Sequence, residues 1–148
     1  MDALRFIAGQ VARFEVHPSD GLEGETPWYA IDLRFENGSL GRIDVLPTAG
    51  MAEETYDLLG DGFRASVTCP FGAQRGWRCY KDGQLISEEI ATDAPEEVLN
   101  GCYNEAAEFI RALQCKDRLS PSIEDIFPSV ELCWKMAKNV AAASRLSA

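Results

Sequence analysis

Between Trp28 and Leu46 the chain alternates apolar and polar positions with the period of a half-buried strand. Tyr29, Ile31, Leu33 and Phe35 hold one parity; Trp28, Ala30, Asp32 and Arg34 hold the other. Successive strand side chains point to opposite faces, so this pattern sets a dry face against a wet one. Asn37-Gly38 turns the chain, and Leu40 to Leu46 returns it. The pairing register follows from keeping the faces separate. A two-residue loop would set Leu33 opposite Arg42 and mix them. A three-residue loop, Glu36-Asn37-Gly38 with Gly38 in the left-handed region, pairs Ile31 with Ile43 and Tyr29 with Val45. It also sets Asp32 opposite Arg42, an opposite-charge pair on the other face. Only the longer loop keeps one face dry.

The same reading extends along the chain. Asp2 to Ala8 is a short helix ended by Gly9, and Gln10 to His17 is a strand carrying Val11, Phe14 and Val16. Ser19 to Pro27, rich in glycine and acids, reads as a mobile loop. Glu54 to Leu59 runs through Gly60-Asp61-Gly62 into Phe63 to Cys69. Arg75 to Lys81 turns at Asp82-Gly83 into Leu85 to Glu89. Each pair carries a hairpin signal, so the middle of the chain is an antiparallel meander of about six strands. Ala91 to Leu99 is an acidic connector. Two helices close the chain. In the first, Tyr103, Ala106, Ile110 and Leu113 share one face. The second opens at Ser122, a natural N-cap, and its apolar stripe runs through Ile126, Val130, Trp134, Ala137 and Ala141, with Cys133 and Val140 beside it. Pro128 falls in its first turns and predicts a kink or a one-turn prelude. The fold class is α+β, a single domain over 1–148, with helices on one face of an open, mostly antiparallel sheet.

Composition narrows the function. The 148 residues carry 14 Lys+Arg against 24 Asp+Glu, a net charge of −10. Such a chain repels phosphate backbones and anionic membranes, which argues against nucleic-acid and lipid partners. No apolar run approaches the roughly 18 residues a membrane span needs. Five cysteines (Cys69, Cys79, Cys102, Cys115, Cys133), odd in number and without C-x-x-C spacing, suggest a reducing, cytoplasmic setting. The only histidine, His17, sits beside Pro18 and reads as a surface or turn residue. Glu53-Glu54, Glu88-Glu89 and Glu96-Glu97 read as solvated charge. Adjacent strand residues point apart, so the pairs at 53–54 and 88–89 cannot both aim at one metal. No metal site is expected.

Five stretches in order carry a family resemblance. They are D-x-x-R-F-I-x-G (Asp2 to Gly9), F-E-N-G-S-L-G (Phe35 to Gly41), Y-D-L-L-G-D-G (Tyr56 to Gly62), N-E-A-A-E-F-I-R-A-L (Asn104 to Leu113) and P-S-I-E-D-I (Pro121 to Ile126). Together they resemble the C-terminal domain of the Gfo/Idh/MocA oxidoreductases, the glucose–fructose oxidoreductase and inositol dehydrogenase family, over nearly the whole chain. The resemblance implies a GAPDH-C-like sheet whose open face packs on another subunit. It also implies a separate Rossmann domain that binds NAD or NADP, and a polyhydroxylated small-molecule substrate between the domains. In that family, catalysis rests on a Lys of an E-K-P motif and on the Asp and His of D-x-G-x-H-x-x-D. This sequence holds no G-x-G-x-x-G after a strand and no E-K-P. If Asp2 ends the H-x-x-D pattern, the His falls before Met1. The expectation is a substrate-side and oligomerisation domain of an NAD(P)-dependent enzyme, cut from a longer chain or standing without its nucleotide domain. It carries no catalytic residue or cofactor site of its own and is inactive alone. The rival expectation is a free-standing, non-catalytic interaction module.

Two surfaces are candidates for function. Trp28, Asp32, Arg34, Arg42 and Asp44 form the polar sheet face, either solvated or, as the resemblance implies, an oligomer interface. Arg and Trp suit protein contact better than a lysine-rich surface would. Pro47 to Met51 is either an ordinary loop or, by the resemblance, the edge facing substrate, where Thr48 offers a hydroxyl and Met51 an apolar contact. An aromatic that some relatives place near Ala52 is absent. Trp77 and Tyr80 read as sheet-packing residues, with ring stacking as the alternative.

Overall fold

The structure, a computed structural model, describes residues 1–19, 28–50, 52–69, 76–90 and 95–146. The acidic loop at 20–27, Met51 and Arg75 lie outside them. In chain order the elements begin with α1 (Asp2–Ala8), β1 (Val11–Pro18), β2 (Tyr29–Phe35) and β3 (Leu40–Val45). Then come β4 (Glu54–Gly60), β5 (Phe63–Cys69), β6 (Gly76–Lys81) and β7 (Gln84–Ile90). Last are α2 (Glu96–Leu99), α3 (Cys102–Cys115) and α4 (Ile123–Leu146). The class is α+β with antiparallel strands, as the periodicity indicates. The meander, however, divides into a three-stranded sheet β1-β2-β3 and a four-stranded sheet β4-β5-β6-β7. Pro47, which has no backbone N–H to donate, follows the end of β3 and helps stop the ladder there. The chain forms two compact units, one of Met1–Ala49 with Ser120–Ala148 and one of Gly50–Leu119.

In the first unit the β2–β3 register is the one the faces dictate: Ile31 lies opposite Ile43, Tyr29 opposite Val45 and Asp32 opposite Arg42. The turn closes through Gly38 N–H donating to the Phe35 carbonyl and Phe35 N–H to the Ser39 carbonyl, with Gly38 at φ 89°. That positive φ is the reason glycine is needed there. Asn37 fixes the turn further. Its Oδ1 accepts from Ser39 N–H and its Nδ2 donates to the Ala8 carbonyl at the end of α1. Strand β1 pairs antiparallel on the other side of β2, with Val16 opposite Ile31 and Phe14 opposite Leu33.

The inner residues of β2 are the core. Ile31, Leu33 and Phe35 are buried with Met136 of α4; Met1, Leu4, Ala8, Val11, Phe14, Val16, Ile43 and Leu132 pack around them. Each such buried apolar side chain contributes about 1.5–3 kcal/mol. A polar link joins the two helices beside this core. Arg5 Nη1 donates to Ser129 Oγ at 2.7 Å, and that hydroxyl donates to Asp2 Oδ1 at 2.7 Å. Ser129 is buried and fully partnered, the condition under which a hydroxyl is tolerated inside.

The face that α4 packs overlaps the stripe read in its sequence at Ile126 and at Val140 beside it, and otherwise departs from it. Ser129 and Met136 are buried, with Ile126, Leu132 and Val140 half-buried beside them, while Val130 and Trp134 are exposed together with Ile123 and Phe127. Nor does Pro128 set off a separate turn: the helix is continuous from Ile123. A reciprocal cap supports its start, with Ser122 N–H donating to Asp125 Oδ2 and Asp125 N–H to Ser122 Oγ.

In the second unit, β4 to β7 form consecutive antiparallel pairs. The β6–β7 turn uses Asp82 at φ 49° and Gly83 at φ 79°, the double-positive geometry of a tight hairpin. The connector read before α3 contains the one-turn helix α2, where Val98 and Leu99 N–H both donate to the Pro95 carbonyl. On α3, Tyr103, Ile110 and Leu113 are exposed and Ala112 is the buried residue.

Candidate functional site: the outer face of the three-stranded sheet

The register of β1, β2 and β3 assembles one polar face from alternate residues. Arg13, Glu15 and His17 of β1 lie beside Arg34, Asp32 and Ala30 of β2, and Arg42 and Asp44 of β3 complete the rows. Asp32 is the centre. Its Oδ2 is 3.0 Å from His17 Nε2, and its Oδ1 is 3.5 Å from Arg42 Nη1. Arg42 Nε then reaches Asp44 Oδ1 at 3.0 Å. Arg34, opposite Arg13, makes no ion pair among the described residues. The face carries Arg13, Arg34 and Arg42 against Glu15, Asp32 and Asp44, so it is neutral in a chain of net charge −10. Its cations are all arginine, the residue suited to planar, repeatable ion pairs.

Trp28 is fixed at one end of this face. Its N–H donates to Ser19 Oγ, its carbonyl accepts from Ser19 N–H, and its indole Nε1 donates to Thr48 Oγ1 at 2.7 Å. The two surfaces separated in the sequence, the interface candidate Trp28 and the substrate candidate Thr48, are therefore one patch. Thr48 Oγ1 accepts from the indole and keeps its own O–H as a donor. Met51, the other substrate candidate, lies outside the described residues. His17, read as a surface residue, is exposed, and on this face it pairs with Asp32. The alternation Arg13, Glu15, His17 was the available signal, and it was masked by the short apolar count of β1.

Elsewhere, Trp77 and Tyr80 point to opposite faces of β6, so they cannot stack on one ring. Trp77 Nε1 donates to Glu89 Oε2, and Arg78 Nε reaches Glu88 Oε2 at 3.3 Å. The adjacent acids thus serve opposite faces of β7. Among the described residues no group of three or more His, Cys, Asp or Glu is placed to hold a metal ion. Among the described residues no helix is long and apolar enough to cross a membrane.

The described turns do not fit a dinucleotide. The turns at Gly38, Gly62 and Gly83 join antiparallel strands. A pyrophosphate site needs a glycine turn that leads from a strand into a helix N-terminus. No catalytic step through a nicotinamide can be built on them.

Comparison with family models, with curated proteins and with solved structures returned no match.

Proposed function

We propose that this chain is the substrate-side and oligomerisation domain of a cytoplasmic, NAD(P)-dependent oxidoreductase of the Gfo/Idh/MocA kind, acting on a sugar, cyclitol or similar polyhydroxylated molecule. It is inactive alone and self-associates through the outer face of the three-stranded sheet. The observation that carries the reading is that three of the five resembling stretches lie in one unit, joined there by the opening and last helices. The opening helix binds the last helix through Arg5, Ser129 and Asp2, and the Asn37 turn binds the opening helix at Ala8. The neutral, arginine-bearing face supports the assembly half. Two copies of a chain at −10 repel, and a balanced face is where they approach at least cost.

A second reading, a free-standing interaction module without substrate, is favoured by the Trp28–Thr48 hydrogen bond, which ties the candidate substrate hydroxyl into the interface. The coding sequence upstream of Met1 separates the two. An in-frame dinucleotide fingerprint followed by E-K-P supports the enzyme, whereas a stop codon supports the module. Arg42→Glu places two more negative charges beside Asp32 and Asp44, counting the cation removed. It is expected to weaken self-association in sedimentation by about tenfold, or 1.4 kcal/mol. A monomeric native chain would refute the interface, and tight nicotinamide binding by the isolated chain would refute the division of labour.

A further inference from the structure

Helix α4 presents a second apolar face that the core does not use. Ile123, Phe127, Val130 and Trp134 recur at helical spacing along the side away from Ser129 and Met136, and each is more than half exposed. The stripe is bordered on one flank by Glu124 and Glu131 toward the start of the helix and by Lys135 and Lys138 toward its end. Lys138 Nζ sits over the Trp134 ring, 3.4 Å from its centroid, and Lys135 Nζ is 3.0 Å from Glu131 Oε1.

We propose that α4 pairs with α4 of a second copy of this chain, antiparallel, through this stripe. Charge order selects both the occupant and the direction. The helix is acidic in its first turn (Glu124, Asp125) and basic further along (Lys135, Lys138). An antiparallel partner lays its basic half along the acidic half and opposes the helix dipoles, whereas a parallel partner sets like against like. The same arrangement brings Phe127 alongside the stretch from Val130 to Trp134 of the second copy, so large side chains meet smaller ones. The four stripe residues expose on the order of 500 Å², against the roughly 800 Å² per partner of a standard interface. The methylene stems of Glu131, Lys135 and Lys138 border the stripe and extend the area. The inference is independent of the sheet-face interface, which lies on the opposite side of β2 from the core.

Sedimentation of the full chain tests it. Trp134→Glu is expected to halve the mass of the native assembly, with far-UV circular dichroism unchanged because Trp134 is not part of the core. Should that variant misfold, the pair Lys135→Glu and Lys138→Glu gives the same loss. Mixing it with a Glu124→Lys, Glu131→Lys chain then restores the larger species. Arg42→Glu alone leaves the α4 pair intact, so failure of the sheet interface and failure of this one are distinguishable. An assembly whose mass is unchanged by both α4 variants overturns the proposal. So does a native monomer, whether its Trp134 indole is open to a soluble quencher or already shielded within one chain.

Discussion

Arg111 on α3 holds a forked surface ion pair. Its Nη2 and Nε donate to the two carboxylate oxygens of Glu108 at 2.6 and 2.8 Å, and its Nη1 donates to Asp117 Oδ2 at 2.8 Å. These hydrogen bonds from Arg111 draw the Glu108 carboxyl below its ordinary range, with the slight burial opposing and the Coulomb attraction adding to the shift. Arg111 is raised correspondingly and stays charged at any accessible pH. For an acid whose pKa is depressed in the folded state, the stabilisation is present above the unfolded value. It is lost as pH falls through the lowered folded value. The Glu108 carboxyl is therefore expected to titrate below a free glutamate in a carbon-detected NMR titration. Arg111→Gln should return it to the ordinary range. An unshifted Glu108 in the native protein would show that the fork does not persist in solution.

At the scale of elements, the β2–β3 hairpin was readable from sequence because several independent constraints agree on one register. The alternation, the Asn37-Gly38 turn and the Asp32–Arg42 pair admit no other pairing that keeps a face dry. One further consequence is steric. Gly41 lies opposite Leu33, and a Cβ there would stand 2.9 Å from Cε2 of the buried Phe35. Gly41→Ala is expected to displace the ring and destabilise the protein by about 1–3 kcal/mol, read as a lowered midpoint in urea. An unchanged midpoint would mean that the ring moves freely. Helix α4 was not readable in the same way. Apolar residues surround most of its circumference, and the side that packs contains a serine. Ser129 is admitted to the interior only by Arg5 and Asp2, which lie more than a hundred positions away in sequence. No local pattern reports such a partner. The partner of His17 was hidden for the same reason, since its carboxylate is supplied by a neighbouring strand. The division of the strands between two sheets was equally hidden, because hairpin signals specify neighbours in pairs and not where a run of pairs ends.

At the scale of the whole molecule, the two units differ in how they bury apolar surface. The unit of Met1–Ala49 and Ser120–Ala148 draws its core from both of its chain segments, with Ile31, Leu33 and Phe35 from one and Met136 from the other. In the unit of Gly50–Leu119, Ala112 is the buried residue among those described, and Tyr56, Leu58 and Val67 are only half-buried. Local opening free energy follows buried apolar contact, so the backbone amides of β2 are expected to exchange slowest with deuterium and those of β4 to β7 much faster. The same asymmetry predicts the behaviour of the pieces. A chain joining residues 1–49 to 120–148 through a short glycine–serine linker retains all four core residues, and it is expected to melt cooperatively. Residues 50–119 alone are expected to give strand-like circular dichroism without a sharp transition, because few fixed side-chain contacts remain to be lost together. Protection concentrated in β5 and β6, or a cooperative 50–119 piece beside an unfolded linked chain, would place the stabilising core in the other unit and reverse the assignment.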